Sequence, residues 1–129
     1  MDSTDWGAQG RRTDIESYSP ALDDLVSASA VVRELATGNE IGGGPSAGWG
    51  RGCDGPFWIA EEGCLAFSDA GNHRRLAWSP DEGVTEFSGD TRRALGATRD
   101  QVGRVVSCEW ATGMVTRQEP GGGVTLIAS

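Results

Sequence analysis

The chain of 129 residues contains no lysine, because all eleven of its basic residues are arginine. This absence excludes Schiff-base catalysis and the phosphate-binding lysine of a P-loop. Histidine occurs once, at His73 in the turn Gly71-Asn72-His73, so a Ser/His/Asp triad would have to stand on a loop tip. We therefore expect His73 to be a solvated turn residue rather than a catalytic base.

Cysteine is also scarce, with Cys53, Cys64 and Cys108 at no metal-like spacing. An odd number of cysteines predicts buried thiols in a reducing compartment rather than a disulfide framework. No apolar run has the length of a membrane span, and the start Met1–Asp5 lacks the basic and apolar regions of a signal peptide. A cytoplasmic location is the resulting expectation.

Acidic residues exceed basic ones, with a net charge of −8 at pH 7 and a pI near 4.5. Residues 1–40 hold eight of the nineteen acids against three arginines. This balance argues against nucleic acid or an anionic membrane as a partner. We interpret the acidity as a solvated surface.

The best-defined feature that is present is a repeat of forty residues. The segment Gly63–Asp69 is answered by Gly103–Glu109, Pro80 by Pro120, and Gly83-Val84-Thr85 by Gly123-Val124-Thr125. Each copy is a series of short apolar runs separated by glycine-rich turns, and the 20 glycines of the chain serve mainly as turn residues. A period of about 40 to 45 residues with several strands per unit is typical of a β-propeller blade. The repeat predicts an all-β fold with about two four-stranded blades.

The blade strands can be placed from the apolar runs. We expect the two meanders to pack face to face, with strands at Phe57–Ala60, Cys64–Ser68, Arg75–Ser79, Val84–Phe87, Ala97–Asp100, Arg104–Glu109, Val115–Gln118 and Val124–Ala128.

The N-terminal region has a different composition. Residues 1–18 are polar and are predicted to be disordered, whereas Ser19-Pro20 resembles a helix N-cap followed by a first-turn proline. Leu22, Leu25 and Val26 would form one face of a short helix. We expect an N-terminal segment at 1–29 and a two-blade fragment at 30–129, in which Ala30–Ala36 is an outer strand.

A glycine loop at residues 42–55 contains one G-x-G-x-x-G, at Gly50, Gly52 and Gly55. The dinucleotide motif requires a helix after it. Pro56 and an aromatic run follow instead, so nucleotide binding is not predicted.

Several charged residues are candidates for chemistry. Asp69 and Glu109 occupy equivalent repeat positions, and we expect them to satisfy turn amides. Arg74-Arg75 and Arg92-Arg93 are expected at the surface, although one arginine at a channel mouth could bind an anionic or hydroxyl-rich ligand. Asp54 precedes Gly55-Pro56 at the start of an inner strand, where it could either ligate a divalent cation or close an Asx-type turn.

These residues also carry a resemblance to a known family. The chain from about residue 30 to 129 resembles the gluconolactonase/regucalcin-like (senescence marker protein) family through seven motifs in order: Cys53–Trp58, Leu65–Asp69, Gly71–Arg75, Thr98–Asp100, Gly103-Arg104, Cys108-Glu109 and Val115–Arg117. The resemblance implies a six-bladed propeller that hydrolyses sugar lactones with one divalent cation, Ca or Zn, in its channel, and it implies that only the N-terminal third is present.

The same resemblance assigns roles to individual positions. Asp54 stands where the family usually has a metal-binding Glu, and Arg93 stands where it has a substrate-binding Arg. Leu95 replaces a substrate-facing Asn and Trp110 replaces a histidine, while the other metal ligands would lie beyond Ser129. In a complete site the cation would polarise the lactone carbonyl.

Two functions stay open at this point. One is a truncated lactonase that is inactive alone and that would act on a sugar lactone only if a complete site were assembled. The alternative is a non-catalytic propeller fragment that acts as a binding or assembly module, or has no independent function. Because two blades leave sheet faces uncovered, we also expect self-association.

Overall fold

The computed structural model describes residues 11–12, 15–36 and 53–129. The chain divides into two compact units, Met1–Leu35 and Ala36–Ser129. The predicted disorder of residues 1–18 and the predicted glycine loop at 42–55 fall mostly outside the described residues. The predicted domain limit between residues 29 and 30 stays a prediction.

The described residues of the first unit form one short helix and one strand pair. Helix α1 spans Pro20–Asp23, and the Oγ of its N-cap Ser19 accepts a hydrogen bond from the Ala21 amide at 3.3 Å. The predicted helix is therefore present, but it is a single turn that includes only Leu22 of the expected apolar face. Strands β1 (Arg11–Arg12) and β2 (Val31–Val32) pair antiparallel. The prediction of a blade strand over Ala30–Ala36 is wrong, because the two-residue β2 pairs with β1 and not with either blade.

Residues 53–129 of the second unit form two antiparallel sheets, and each has four strands in sequence order. Sheet 1 contains β3 (Cys53–Ile59), β4 (Cys64–Asp69), β5 (Arg74–Ser79) and β6 (Gly83–Ser88), and sheet 2 contains β7 (Ala94–Arg99), β8 (Val105–Glu109), β9 (Met114–Gln118) and β10 (Val124–Ala128). A single 3-10 turn, Ala70–Asn72, joins β4 to β5. The all-β prediction of two four-stranded propeller blades is confirmed.

The first strand of each sheet differs most from expectation. β3 begins at Cys53 rather than Phe57, and a bulge between Asp54 and Phe57 accommodates Gly55-Pro56. β7 begins at Ala94 rather than Ala97, with a bulge at the equivalent place, between Ala94 and Ala97. A bulge lets glycine and proline remain in a strand whose regular ladder they would interrupt. Because glycine and proline are typical of loops, the composition of these residues predicted a loop rather than a strand.

The two sheets pack face to face, with β3 and β4 of sheet 1 against β7 of sheet 2. Ser68 Oγ donates to the Leu95 carbonyl at 2.9 Å, and Arg75 Nη2 donates to Ser107 Oγ at 3.0 Å. The core of sheet 1 is formed by Ile59, Cys64, Ala66 and Ala77, with Phe57 and Phe87 packed against it.

The three cysteines are free thiols. Cys64 is buried as expected, and burial raises its pKa. Cys53 and Cys108 are exposed, so the prediction of buried thiols is wrong for them. Among the described residues, no helix is long and apolar enough to cross a membrane.

Candidate functional site

The two predicted site residues lie at the beginnings of neighbouring inner strands. Asp54 is the second residue of β3, and Arg93 immediately precedes β7. A Cβ built on Gly55 would lie 2.4 Å from the Leu95 carbonyl oxygen and 2.7 Å from the Ala97 nitrogen. The two backbones therefore touch at Gly55, and this contact brings Asp54 and Arg93 to the same end of the paired sheets.

Asp54 is exposed, and its Oδ1 accepts a hydrogen bond from the Gly55 amide at 2.7 Å. This contact to the next backbone amide corresponds to the turn-closing alternative considered from the sequence. The second carboxylate oxygen remains available at an exposed position. One exposed carboxylate can supply one or two of the six to eight oxygens that Ca²⁺ requires.

Arg93 is held by side chains from both sheets. Its Nε donates to His73 Nε2 at 2.9 Å, and its guanidinium lies 5.3 Å from the centre of the Trp110 ring. The Trp110 amide also donates to the Arg93 carbonyl at 3.1 Å. Within the described residues the Arg93 side chain makes no other hydrogen bond, so both Nη groups can donate to a ligand.

His73 is exposed at a loop, as expected, but it is more than a solvated turn residue. Its backbone is left-handed, with φ of 57°, and its carbonyl accepts from the Thr91 amide at 2.8 Å. To accept from Arg93, its Nε2 must be unprotonated. The sequence interval of twenty residues gave no signal of this pair, since it depends on the packing of the two sheets.

The loop that carries Arg93 is strained. Asp90, Arg92 and Arg93 all have positive φ, at 48°, 50° and 57°. A side chain in this region costs about 1 to 2 kcal/mol per residue. Such strain is often concentrated at sites that must hold one side chain in a defined position.

The matching acids Asp69 and Glu109 end equivalent strands, β4 and β8, and both are buried. Asp69 accepts from Asn72 Nδ2 at 2.9 Å and from Arg74 Nε at 2.8 Å. The prediction that these acids satisfy turn amides is wrong as to the donors, because the hydrogen bonds come from neighbouring side chains. A buried carboxylate needs cationic or hydroxyl donors, and the neighbouring side chains supply them.

Glu109 has the fuller set of partners. Arg92 Nε donates to Oε2 at 2.7 Å and Arg92 Nη2 donates to Oε1, while Thr112 and Thr116 hydroxyls donate at 2.7 and 2.5 Å. These hydrogen bonds, that of Arg92 foremost, lower the pKa of Glu109 to about 2. Glu109 is therefore a structural anion that fixes the loop next to Arg93.

Sequence reasoning also placed Arg75 at the surface, and this is wrong. Arg75 is 2% exposed, its guanidinium lies 5.5 Å from the centre of the Phe57 ring, and burial lowers its pKa. It pairs with Ser68 across β4 and β5, so it shares the face of sheet 1 that meets sheet 2.

A complete cation site is not formed within the described ranges. No group of three or more His, Cys, Asp or Glu side chains there could hold a metal ion. Asp54 is the single sequence-predicted ligand, and the nearby acids Asp69 and Glu109 are committed to arginines. The described residues thus do not fit a divalent cation without additional ligands.

The fold and these positions define a partial β-propeller with an arginine and a carboxylate at the start of its inner strands. The chain is similar to the crystal structure of a candidate gluconolactonase, with 27% identity and a TM-score of 0.52 over 60% of this chain and 27% of that one. It is also similar to a gluconolactonase from Xanthomonas campestris, with 29% identity and a TM-score of 0.53 over 59% of this chain and 26% of that one.

The resemblance to gluconolactonases stated from the motifs is therefore confirmed by solved structures. The chain spans about a quarter of the length of each. No protein-family model matches the chain, and no curated protein matches it significantly.

Proposed function

We propose that the chain carries part of the site of a metal-dependent sugar-lactone hydrolase of gluconolactonase type, and that alone it does not hydrolyse lactones. The observation that carries this proposal is the backbone contact of Gly55 in β3 with Leu95 and Ala97 in β7, because Asp54 lies at the start of β3 and Arg93 immediately precedes β7. The likeness to two gluconolactonase structures supports it.

Arg93 is suited to bind the oxygens of a substrate. Its guanidinium is oriented by His73 and Trp110, and the free Nη groups can donate to a carbonyl or to hydroxyls. Leu95, which is 37% exposed, presents an apolar side chain in the same strand. Because it offers no hydrogen bond, discrimination among sugar hydroxyls should be weak.

A divalent cation is proposed only for a complete site, in which further ligands would join Asp54. Asp54 would contribute one carboxylate ligand, and a bound cation would supply electrophilic activation of the lactone carbonyl. Since the described residues do not complete its coordination, hydrolysis by the isolated chain is not expected.

A second candidate function is that of a non-catalytic binding or assembly module. The observation that favours it is the outer strand β10, where Val124, Leu126 and Ile127 are each about half exposed, at 48%, 55% and 49%. An uncharged apolar edge strand of this kind is prone to pair with another chain. Self-association through the blades is therefore proposed alongside the partial lactonase site.

We also propose a cytoplasmic location, which the three free thiols support. Neither nucleic acid nor membrane is proposed as a partner, on the basis of the net charge of −8. The sugar lactone remains the proposed small-molecule partner of an assembled site.

The test uses freshly dissolved glucono-δ-lactone with the purified chain, with and without Ca²⁺ or Zn²⁺. Proton release should not exceed the uncatalysed rate, whereas NMR shifts of the Trp110 indole should report weak binding of the lactone. Arg93→Gln should abolish these shifts, and the matched variant Arg33→Gln, at an exposed arginine of the first unit, should retain them. Absence of any lactone-dependent shift would contradict the partial site, and saturable hydrolysis that Asp54→Ala abolishes would contradict the inactivity.

A further inference from the structure

A polar cavity lies between the facing surfaces of the two sheets, and Asp54 does not line it. Its volume is about 250 Å³. Sheet 1 contributes Arg75 and Ser88, sheet 2 contributes Ser107 and Gln118, and Thr91 lines it from the connecting loop. No role in the proposed lactonase site involves these side chains.

Arg75 brings an uncompensated positive charge to this cavity. Its side chain is almost fully buried, and its hydrogen-bond partner is the neutral hydroxyl of Ser107, at 3.0 Å from Nη2. Its Nε is buried without any hydrogen-bond partner. An arginine stays protonated in proteins, so a buried guanidinium without a carboxylate is costly unless an anion approaches it.

The other charged side chains that line the cavity do not form an ion pair with Arg75. Arg92 and Glu109 both line it, but they form a double hydrogen bond with each other. Asp90 also lines it, at an exposed position on the same loop. Within the described ranges, Arg75 forms no ion pair.

Thr91 provides a second, independent sign of a missing partner. Its Oγ1 is buried and makes no hydrogen bond, although it can both donate and accept. Buried polar groups in proteins are nearly always paired with protein, water or ligand. One of these two unpartnered atoms belongs to Arg75 on strand β5, and the other belongs to Thr91 on the loop before β7. Both residues line the same cavity, which indicates a site for a polar ligand.

We propose that this cavity is a binding site for a small oxyanion, such as a carboxylate or a phosphate, held by the Arg75 guanidinium and the Thr91 hydroxyl. An oxyanion accepts from adjacent guanidinium nitrogens in a fork geometry and supplies the charge that Ser107 cannot. Water alone would fill the space, at about 30 Å³ per molecule, but would leave the charge of Arg75 without a counterion. The proposal is independent of lactone hydrolysis.

The experiment follows the arginine Nε–H signals of the ¹⁵N-labelled chain during titration with sodium acetate and, separately, with sodium phosphate, at ionic strength held constant with sodium chloride. One signal, missing from Arg75→Gln, should shift saturably with at least one of the two anions. Response to acetate alone would identify a carboxylate site, and response to phosphate alone would identify a phosphate site. No saturable shift with either anion, which is the result for a cavity that holds only water, would overturn the proposal.

Variants separate binding at the cavity from effects on the whole fold. Thr91→Val conserves volume at the loop and should weaken the anion about fivefold to tenfold, the effect of one lost hydrogen bond. The control Arg33→Gln should leave the affinity unchanged. An equal affinity in Thr91→Val and the wild type, or a shift that persists in folded Arg75→Gln, would place the anion elsewhere and refute the site.

Discussion

Replacement of Gly55 by alanine tests whether β3 and β7 are in the close contact that joins the two candidate site residues. A methyl group on Gly55 would lie 2.4 Å from the Leu95 carbonyl oxygen and 2.9 Å from Gly96 Cα. These are backbone atoms in a paired strand, so they cannot rotate away as a flexible side chain would. The contact falls roughly 1 Å short of an ordinary van der Waals separation.

Two terms contribute to the expected cost of Gly55→Ala. Gly55 has φ of 56°, and a side chain in this left-handed region costs about 1 to 2 kcal/mol. Overpacking against the backbone of β7 adds about 1 to 3 kcal/mol. The free energy of unfolding should therefore fall by about 3 kcal/mol, which is a large share of the stability of a small domain.

Gly63 offers a matched control on the same sheet. Its φ is 62°, nearly that of Gly55, but a Cβ there would meet nothing within 4 Å. Gly63→Ala should therefore cost only the conformational term, about 1 to 2 kcal/mol. The difference between the two variants isolates the contact between the sheets.

Urea unfolding followed by tryptophan fluorescence measures both variants against the wild type. Gly55→Ala should shift the midpoint further than Gly63→Ala, with similar slopes. Equal losses in the two variants would refute the close approach of β3 and β7, and with it the placement of Asp54 beside the start of β7.

Three further predictions concern the other charged and exposed groups. The pKa of Glu109 is lowered from 4.5 to about 2, so its ionisation stabilises the fold at neutral pH; this contribution is lost as pH falls from about 4.5 through 2. Glu109→Gln should lower the free energy of unfolding by about 2 to 3 kcal/mol at pH 7 and by little near pH 2. The exposed residue Glu82 supplies the control variant, Glu82→Gln. A loss that does not depend on pH, or one no larger than that of the control, would contradict the role of Arg92. Calorimetry with Ca²⁺ and Zn²⁺ should detect at best weak binding, because Asp54 offers too few oxygens; submicromolar affinity lost in Asp54→Ala would show a more complete site. Native mass spectrometry at low micromolar concentration should detect self-association, and a stable folded monomer would rule it out.

Much of the fold followed from the repeat. The strands from β4 to β6 and from β8 to β10 lie within one or two residues of their expected positions, because glycine turns and apolar runs recur at a constant interval. The starts of β3 and β7 were missed, since both contain bulges where composition favours a loop. The local sequence does not indicate that the hydrogen-bond ladder continues across such a bulge.

The candidate site was predictable in its residues but not in its construction. The motifs around Asp54 and Arg93 identified both positions, and the resemblance to gluconolactonases is confirmed. The support of Arg93 by His73 depends on two residues that are twenty positions apart, in the loops before β5 and before β7. Likewise, Arg75 and Thr91 form one cavity only because sheet 1 and sheet 2 face each other.

The sequence by itself determined the eight strands of the two blades, the antiparallel meanders and the family resemblance, because these depend on apolar runs, turn chemistry and local motifs. The tertiary structure decided which charges are buried and which groups meet. Arg75 and Glu109 carry charged side chains, yet one is buried without a counterion and the other is buried with four hydrogen bonds from three side chains. Burial and pairing are properties of two packed surfaces, so they are fixed only when the sheets come together.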